Sequence, residues 1–157
     1  MENKILLAVD NSKNSLKAVK YVAKTVKPTS MVTMLSILPD PIAACELDGP
    51  SLAPIFKQNI KTFCTIADAK ESAVRGFMEE AKKTLVNAGF PAKNVAIRIR
   101  KKKVGLARDI LKEAERGKYD TIVIGRRGLS GIKQFVFGSV SNKVVHLAKK
   151  VAVIVVD

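Results

Sequence analysis

Tryptophan is absent from this chain of 157 residues, histidine occurs once and cysteine only twice. Cys45 and Cys64 are too few for a disulfide framework and have no ligand cluster around them for zinc, so two free thiols are expected. The lone histidine, His146, has no Ser-His-Asp or Cys-His partner legible nearby, which removes the familiar constellations of nucleophilic catalysis. Aromatic residues make up 5% of a chain that is 47% hydrophobic. The core must therefore be built of Val, Ile, Leu and Ala, the composition of a parallel sheet covered by helices. Long apolar runs are missing too: none approaches the roughly 18 residues of a membrane span, and the chain runs from Met1 straight into a strand, with no signal-peptide pattern. A cytoplasmic protein with no membrane partner is expected. No Gly-x-x-x-x-Gly-Lys-Ser/Thr is present, and no Gly-x-Gly-x-x-Gly follows the first strand, so neither a P-loop NTPase nor a Rossmann dehydrogenase is supported.

Acidic residues are scarce as well, 14 against 28 Lys and Arg, for a formal net charge of +14. An excess of that size suits a polyanionic partner. It is spread, however: Lys13, Lys17, Lys20, Lys24 and Lys27 recur at the spacing of a helix's solvent face, and spread charge is the pattern of solvation. Nucleic acid is therefore not the expected partner, and a basic nucleic-acid-binding protein is kept as a secondary reading drawn from net charge alone.

What is present alternates between strand and helix signals. Ile5–Val9 is an apolar run ending at Asp10, and Ser12 opens an amphipathic pattern through Leu16, Val19, Val22 and Val26 that Pro28 stops. Met31–Leu38 is a second strand, closed by Pro39. From Asp40 to Ala67 the pattern is broken by Pro41, Gly49, Pro50 and Pro54, and residues 40–67 are expected to be an irregular insertion or lid. A helix from Asp68 reads through Val74, Phe77, Met78, Ala81 and Leu85, ended by Gly89 and Pro91. Val95–Arg100 alternates apolar and mostly basic residues and suits an edge strand blunted by Lys101–Lys103. A helix over 106–116 buries Leu106, Ile110, Leu111 and Ala114 and is closed by Gly117. The strand Thr121–Ile124, a helix over 140–149 burying Val140, Val144 and Leu147, and the strand Val151–Val156 complete a single α/β domain over 1–157, with a doubly wound, mainly parallel five-stranded sheet.

The stretch after Ile124 reads as a phosphate cradle. Gly125, Gly128 and Gly131 make a loop whose backbone can take positive φ and admit an anion to its amides. At Gly138-Ser139 a hydroxyl can cap the following helix, whose first N–H groups then face an anion. The spacing Gly125, two residues, Gly128, nine residues, Gly138-Ser139 resembles the nucleotide-binding signature of the ATP-binding branch of the universal stress protein family. Lys4-Ile-Leu-Leu-Ala-Val-Asp10 followed by Ser12 looks like that family's opening strand, and Val151–Val156 like its last.

The resemblance implies a Rossmann-like sheet in the order 3-2-1-4-5, with a ligand crevice at the carboxyl ends of the first and fourth strands. It implies an ATP site, with ADP or AMP as possible residents and Mg²⁺ carried on the phosphates. Asp10 would bond the ribose or adenine edge, and Ala8, Val9 and Ile37 would wall the base. Gly125 and Gly128 would bring amides to ribose and phosphates, and Gly138, Ser139, Val140 and Ser141 would hold the phosphate chain. Of Arg126 and Arg127, Arg127 is the one taken to screen phosphate charge, the alternative being that both are solvent-facing loop residues. The purely structural alternatives are that Asp10 caps the first helix and that the glycines make ordinary turns. His146 falls on the helix face opposite Val144 and Leu147 and is expected to be exposed. Two departures stand out: Gly105-Leu-Ala107 where the family often has Gly-Asp-Pro, and Lys149-Lys150-Val151 where a Pro often precedes the last strand.

The functional expectation is an ATP-binding, stress-responsive regulatory module that forms a homodimer through its C-terminal strand. The alternative is a slow ATPase or phosphotransferase. No catalytic residue is assigned and any hydrolysis is expected to be slow, because no group near the motif is placed to act as a general base or to orient water.

Overall fold

The computed structural model describes residues 3–39, 54–127 and 138–157, with side chains of the long helix described from Thr65 onward. In chain order the elements are β1 (Lys4–Ala8), α1 (Lys13–Thr25), β2 (Met31–Leu38), α2 (Pro54–Asn87), a short 3-10 turn (Ala92–Asn94), β3 (Val95–Lys101), α3 (Leu106–Gly117), β4 (Thr121–Gly125), α4 (Ser139–Leu147) and β5 (Ala152–Val156). The strands form one parallel sheet in the order β3-β2-β1-β4-β5. The Rossmann-like α/β fold and strand order implied by the resemblance are the ones observed.

β1 and β4 sit in the middle, and almost every residue of Lys4–Ala8 and Thr121–Gly125 is buried. Such strands need apolar side chains on both faces, which is why they read as runs and not as alternations. One core layer packs Ile5, Leu7, Val9 and Met34 against α1 and α2; the other packs Leu6, Ala8, Ile122 and Ile124 against α3 and α4. The edge strands are β3, whose later residues are half or fully exposed, and β5, half-exposed over Val153–Val156.

The residue pattern misplaced several boundaries. α2 starts at Pro54, not at Asp68. Pro54 is the first helical residue, where proline's fixed φ suits the helix and its missing N–H costs no bond, so a residue read as a breaker is a starter. The irregular segment expected over 40–67 is thus helical from Pro54, and residues 40–53 lie outside the described residues. Leu16 is 39% exposed although expected to be buried. It lies roughly 100° around the helix from the face centred on Val19 and Val22, and Ser15 takes the inward position instead. Leu106 is 37% exposed because it sits at the mouth of a crevice, and Leu147, at 46%, is the last residue of α4.

α3 closes on Lys118, which holds the left-handed conformation (φ 50°) expected of Gly117. Gly117 is needed for space: a Cβ there would collide with the Tyr119 ring.

Candidate functional site

The carboxyl ends of β1, β2 and β4 and the start of α4 enclose a crevice of about 810 Å³. Ala8, Val9, Asp10 and Ile37 line it from the β1–β2 side, and Gly125, Arg127, Gly138, Ser139, Val140 and Ser141 from the β4–α4 side. All of the predicted site residues therefore meet at one place except Gly128, which lies outside the described residues together with Gly131.

Main-chain bonds extend the sheet into this rim. The Val9 N–H donates to the Leu35 carbonyl at 2.9 Å, Lys102 N–H to Leu38 at 2.7 Å and Arg126 N–H to Val156 at 2.7 Å. The wall formed by Ala8, Val9 and Ile37 is thus held on a paired backbone rather than on a free loop.

Asp10 has a structural job as well as a place in the crevice. Its Oδ1 accepts from the Ser15 hydroxyl at 2.7 Å and the Ser12 N–H at 3.1 Å, while its own N–H donates to Ser15 Oγ at 2.9 Å. The helix cap itself is Ser12, whose Oγ accepts from the Ser15 N–H at 3.2 Å. Asp10 is therefore not the N-cap. It fixes the turn that carries the cap, and the same bonds hold its carboxylate at the crevice mouth.

The two described glycines of the motif are needed for close approach, not for positive φ. Gly138 has φ −69° and, among the described glycines, only Gly89 lies in the left-handed region that favours glycine. A Cβ on Gly125 would stand 2.8 Å from the Asn14 carbonyl carbon and oxygen, because the first turn of α1 packs on the end of β4. A Cβ on Gly138 would stand 2.8 Å from the Arg126 carbonyl oxygen and 3.2 Å from Arg127 Cα. Gly138 is also the cap residue of α4, in the role expected of Ser139; Ser139 is the first helical residue and its exposed hydroxyl makes no cap bond.

The start of α4 is tied down by Ser141, 2% exposed, whose hydroxyl donates to the Arg126 carbonyl at 2.7 Å, with the Gly138 carbonyl as a second acceptor within reach at 3.1 Å. The first bond along α4 runs from Asn142 N–H to Gly138. Ser139, Val140 and Ser141 thus hold the leading amides, which have no carbonyl one turn earlier in the helix, and all three residues line the crevice.

Charge converges on the same space. Among the described residues, Lys70, Lys102, Arg126, Arg127 and Lys143 line the crevice against the single carboxylate of Asp10. Arg126 Nε lies 2.9 Å from Asp157 Oδ1, an ion-pair distance without hydrogen-bond alignment. Arg127 Nε is buried and has no hydrogen-bond partner among the described residues. A buried guanidinium nitrogen without a partner fits an anion.

Lys70, Lys102 and Lys143 were not among the residues expected at the site. Lys102 directly follows a strand and Lys143 lies in the second turn of the motif helix, so both were within reach of a rule about strand ends and helix starts. Lys70 arrives from α2 across the crevice and had no local signal.

Asp109 shapes the turn between β3 and α3. Its carboxylate accepts from the N–H groups of Lys103 at 2.8 Å, Val104 at 3.2 Å and Gly105 at 3.3 Å. Burial pushes its pKa up, but those donors and the charge of Lys112 pull harder, and it settles below the ordinary carboxylate value. The Gly105-Leu-Ala107 turn is built by this reach-back from inside the helix.

The model of the universal stress protein family matches residues 1–157. Universal stress protein YxiE of Bacillus subtilis (strain 168) is 29% identical over 153 residues, covering 94% of this chain and 95% of that protein. A universal stress protein of Mycolicibacterium smegmatis is 23% identical over 152 residues; 96% of this chain is matched, and it spans 47% of that relative's length. Among solved structures, universal stress protein UspA from Lactobacillus plantarum has a TM-score of 0.76 at 20% identity, covering 99% of this chain and 97% of that one. The universal stress protein from Archaeoglobus fulgidus in complex with dAMP has a TM-score of 0.63 at 17% identity, covering 100% and 98%.

Proposed function

This chain belongs to the universal stress protein family, and from that premise we propose that its crevice binds an adenine nucleotide, ATP at least as tightly as AMP, and that the protein works as a nucleotide-responsive regulatory module. The observation that carries this is the division of the crevice into two unlike halves. Ala8, Val9 and Ile37 offer apolar surface beside the Asp10 carboxylate, a pairing suited to a base and ribose. Ser139, Val140 and Ser141 offer leading helix amides beside Arg127, which suits phosphate. The dAMP bound by the Archaeoglobus protein supports the ligand class.

In this reading each further phosphate adds contacts to the α4 end, and any Mg²⁺ is carried on the phosphates. The module binds and releases its ligand with at most slow hydrolysis. It works in the cytoplasm as a homodimer, pairing through the edge of β5.

Two measurements test it. The small molecule released on denaturing freshly purified protein should have the mass of an adenine nucleotide. Calorimetry should then rank ATP at least as tight as AMP under matched Mg²⁺; AMP binding tighter would overturn that ranking. Turnover with and without Mg²⁺ separates a binding module from a working ATPase.

A further inference from the structure

We propose that the outward face of α1 is a docking surface for the phosphate backbone of duplex nucleic acid, bound without regard to sequence. Lys13, Lys17, Lys20 and Lys24 of α1, and Lys27 just beyond it, are all exposed. Their spacing of four, three, four and three residues sets them in one row, with neighbours about 5–6 Å apart at Cβ. The four within the helix span about 16 Å of its axis.

Solvation alone does not explain this row, because the other charged helices of the same molecule are built differently. Between Thr65 and Asn87, α2 carries four acidic and four basic residues, with Arg75–Glu71 at 3.0 Å and Lys83–Glu80 at 2.7 Å. α3 carries three of each. α1 carries no acidic residue, and among the described residues none of the five lysines forms an ion pair. Like charges at this spacing repel and destabilise an isolated helix, so an unbalanced row weakens α1 unless an anion covers it.

The chemistry of the row selects the polyanion. Lysine binds phosphate as a point charge and does not make the two-pronged contacts by which arginine reads a base. Single strands need exposed aromatic platforms, and the one aromatic residue of α1, Tyr21, is packed against the core. A membrane-surface helix needs an exposed apolar face, whereas Ala18, Val19 and Val22 are buried and Leu16 is the one exposed large apolar residue on α1. A straight row of ammonium groups fits a duplex, which presents one phosphate charge per roughly 1.7 Å of axis. The row is separate from the crevice, which α1 and the turn before it meet through Asn11 and Ser15.

The test is fluorescence anisotropy with a labelled DNA duplex of about 20 base pairs, titrated over a salt series. The K17Q/K20Q/K24Q triple variant should lower affinity at least about tenfold near 0.1 M salt and reduce the slope of log affinity against log salt by roughly 2 to 3. Glutamine keeps the helix propensity of lysine and removes the repulsion, so circular dichroism should be unchanged. K17R/K20R/K24R should bind like the parent chain. The charge-matched variant K93Q/K103Q/K149Q, altered at exposed lysines elsewhere, should lose under about threefold. Failure of the parent chain to bind the duplex, or equal losses in the two glutamine variants, overturns the proposal. So does row-dependent binding to phosphatidylserine vesicles or poly-glutamate without binding to the duplex.

Discussion

The Ser141 hydroxyl donates to the Arg126 carbonyl at 2.7 Å, and the Gly138 N–H reaches the same oxygen at 2.9 Å. One peptide oxygen at the end of β4 therefore anchors the whole start of α4 and fixes where its leading amides point.

Gly138→Val should abolish nucleotide binding. Its Cβ would begin 2.8 Å from that anchoring oxygen, so β4 and α4 must separate and the amide cradle is lost. Ser141→Ala removes one of the two bonds and should destabilise the protein by about 1 kcal/mol in urea unfolding. His146→Ala, at an exposed position on α4, should leave affinity unchanged and serves as the control. A folded Gly138→Val protein with normal ATP affinity would show that phosphates rest elsewhere.

Ser139 and Arg127 test the phosphate end without touching that anchor. Ser139→Ala should weaken ATP binding by about 1–2 kcal/mol through loss of one hydrogen bond to a charged group. Arg127→Ala should weaken ATP more than AMP if the guanidinium meets the outer phosphates. Equal losses for both ligands in calorimetry would place Arg127 nearer the ribose.

Edge pairing through β5 can be tested with a substitution that spares the sheet. The Ala152 N–H and the Val156 carbonyl bond to the β4 side, so by alternation the N–H groups of Val153 and Val155 point outward. Val155→Pro removes an outward donor, trims a partly buried side chain packed against the layer of Leu6 and Ile122, and is tolerated where proline occurs in sheets, on an edge. It should yield monomers in sedimentation with the fold retained. Ile154 is a poorer target because its backbone groups, like those of Ala152 and Val156, face β4. A dimer that survives Val155→Pro would show that its interface lies away from this edge.

Asp109 predicts a pH signature. Its folded pKa is lowered, so the charged form stabilises the fold. That contribution is complete above the unfolded carboxylate value of about 3.9 and fades as pH falls through it towards the folded value. Asp109→Asn should therefore cost on the order of 1 kcal/mol at neutral pH, the size of a helix-cap loss. The difference from the parent should shrink below about pH 4. A gap in urea midpoints that stays constant from pH 7 to pH 3 would contradict this account.

Local chemistry determined the elements. Runs such as Ile5–Val9 and Thr121–Ile124 can be little else than strands buried on both faces, and the alternation of strands with helices left a parallel sheet as the economical arrangement. The strand order came from the likeness of the glycine motif and of both chain ends to a family, since periodicity is blind to which strands are neighbours. The meeting of Asp10 with Gly125, Gly138 and Ser139 followed from that order.

What the tertiary structure alone decided was the reason for each residue. Gly125 was expected to allow positive φ and Gly138 to precede a capping serine, yet their Cβ positions are filled by Asn14 and by Arg126. Pro54 looked like a break and is a helix start, because its effect depends on which turn of the helix it occupies. Leu106 and Leu147 looked buried and are not, since burial depends on where a helix ends relative to the sheet. Lys70 reached the crevice, and the lysine row on α1 was left without carboxylates, through the packing of separate elements in space. Spacing along one helix can record neither.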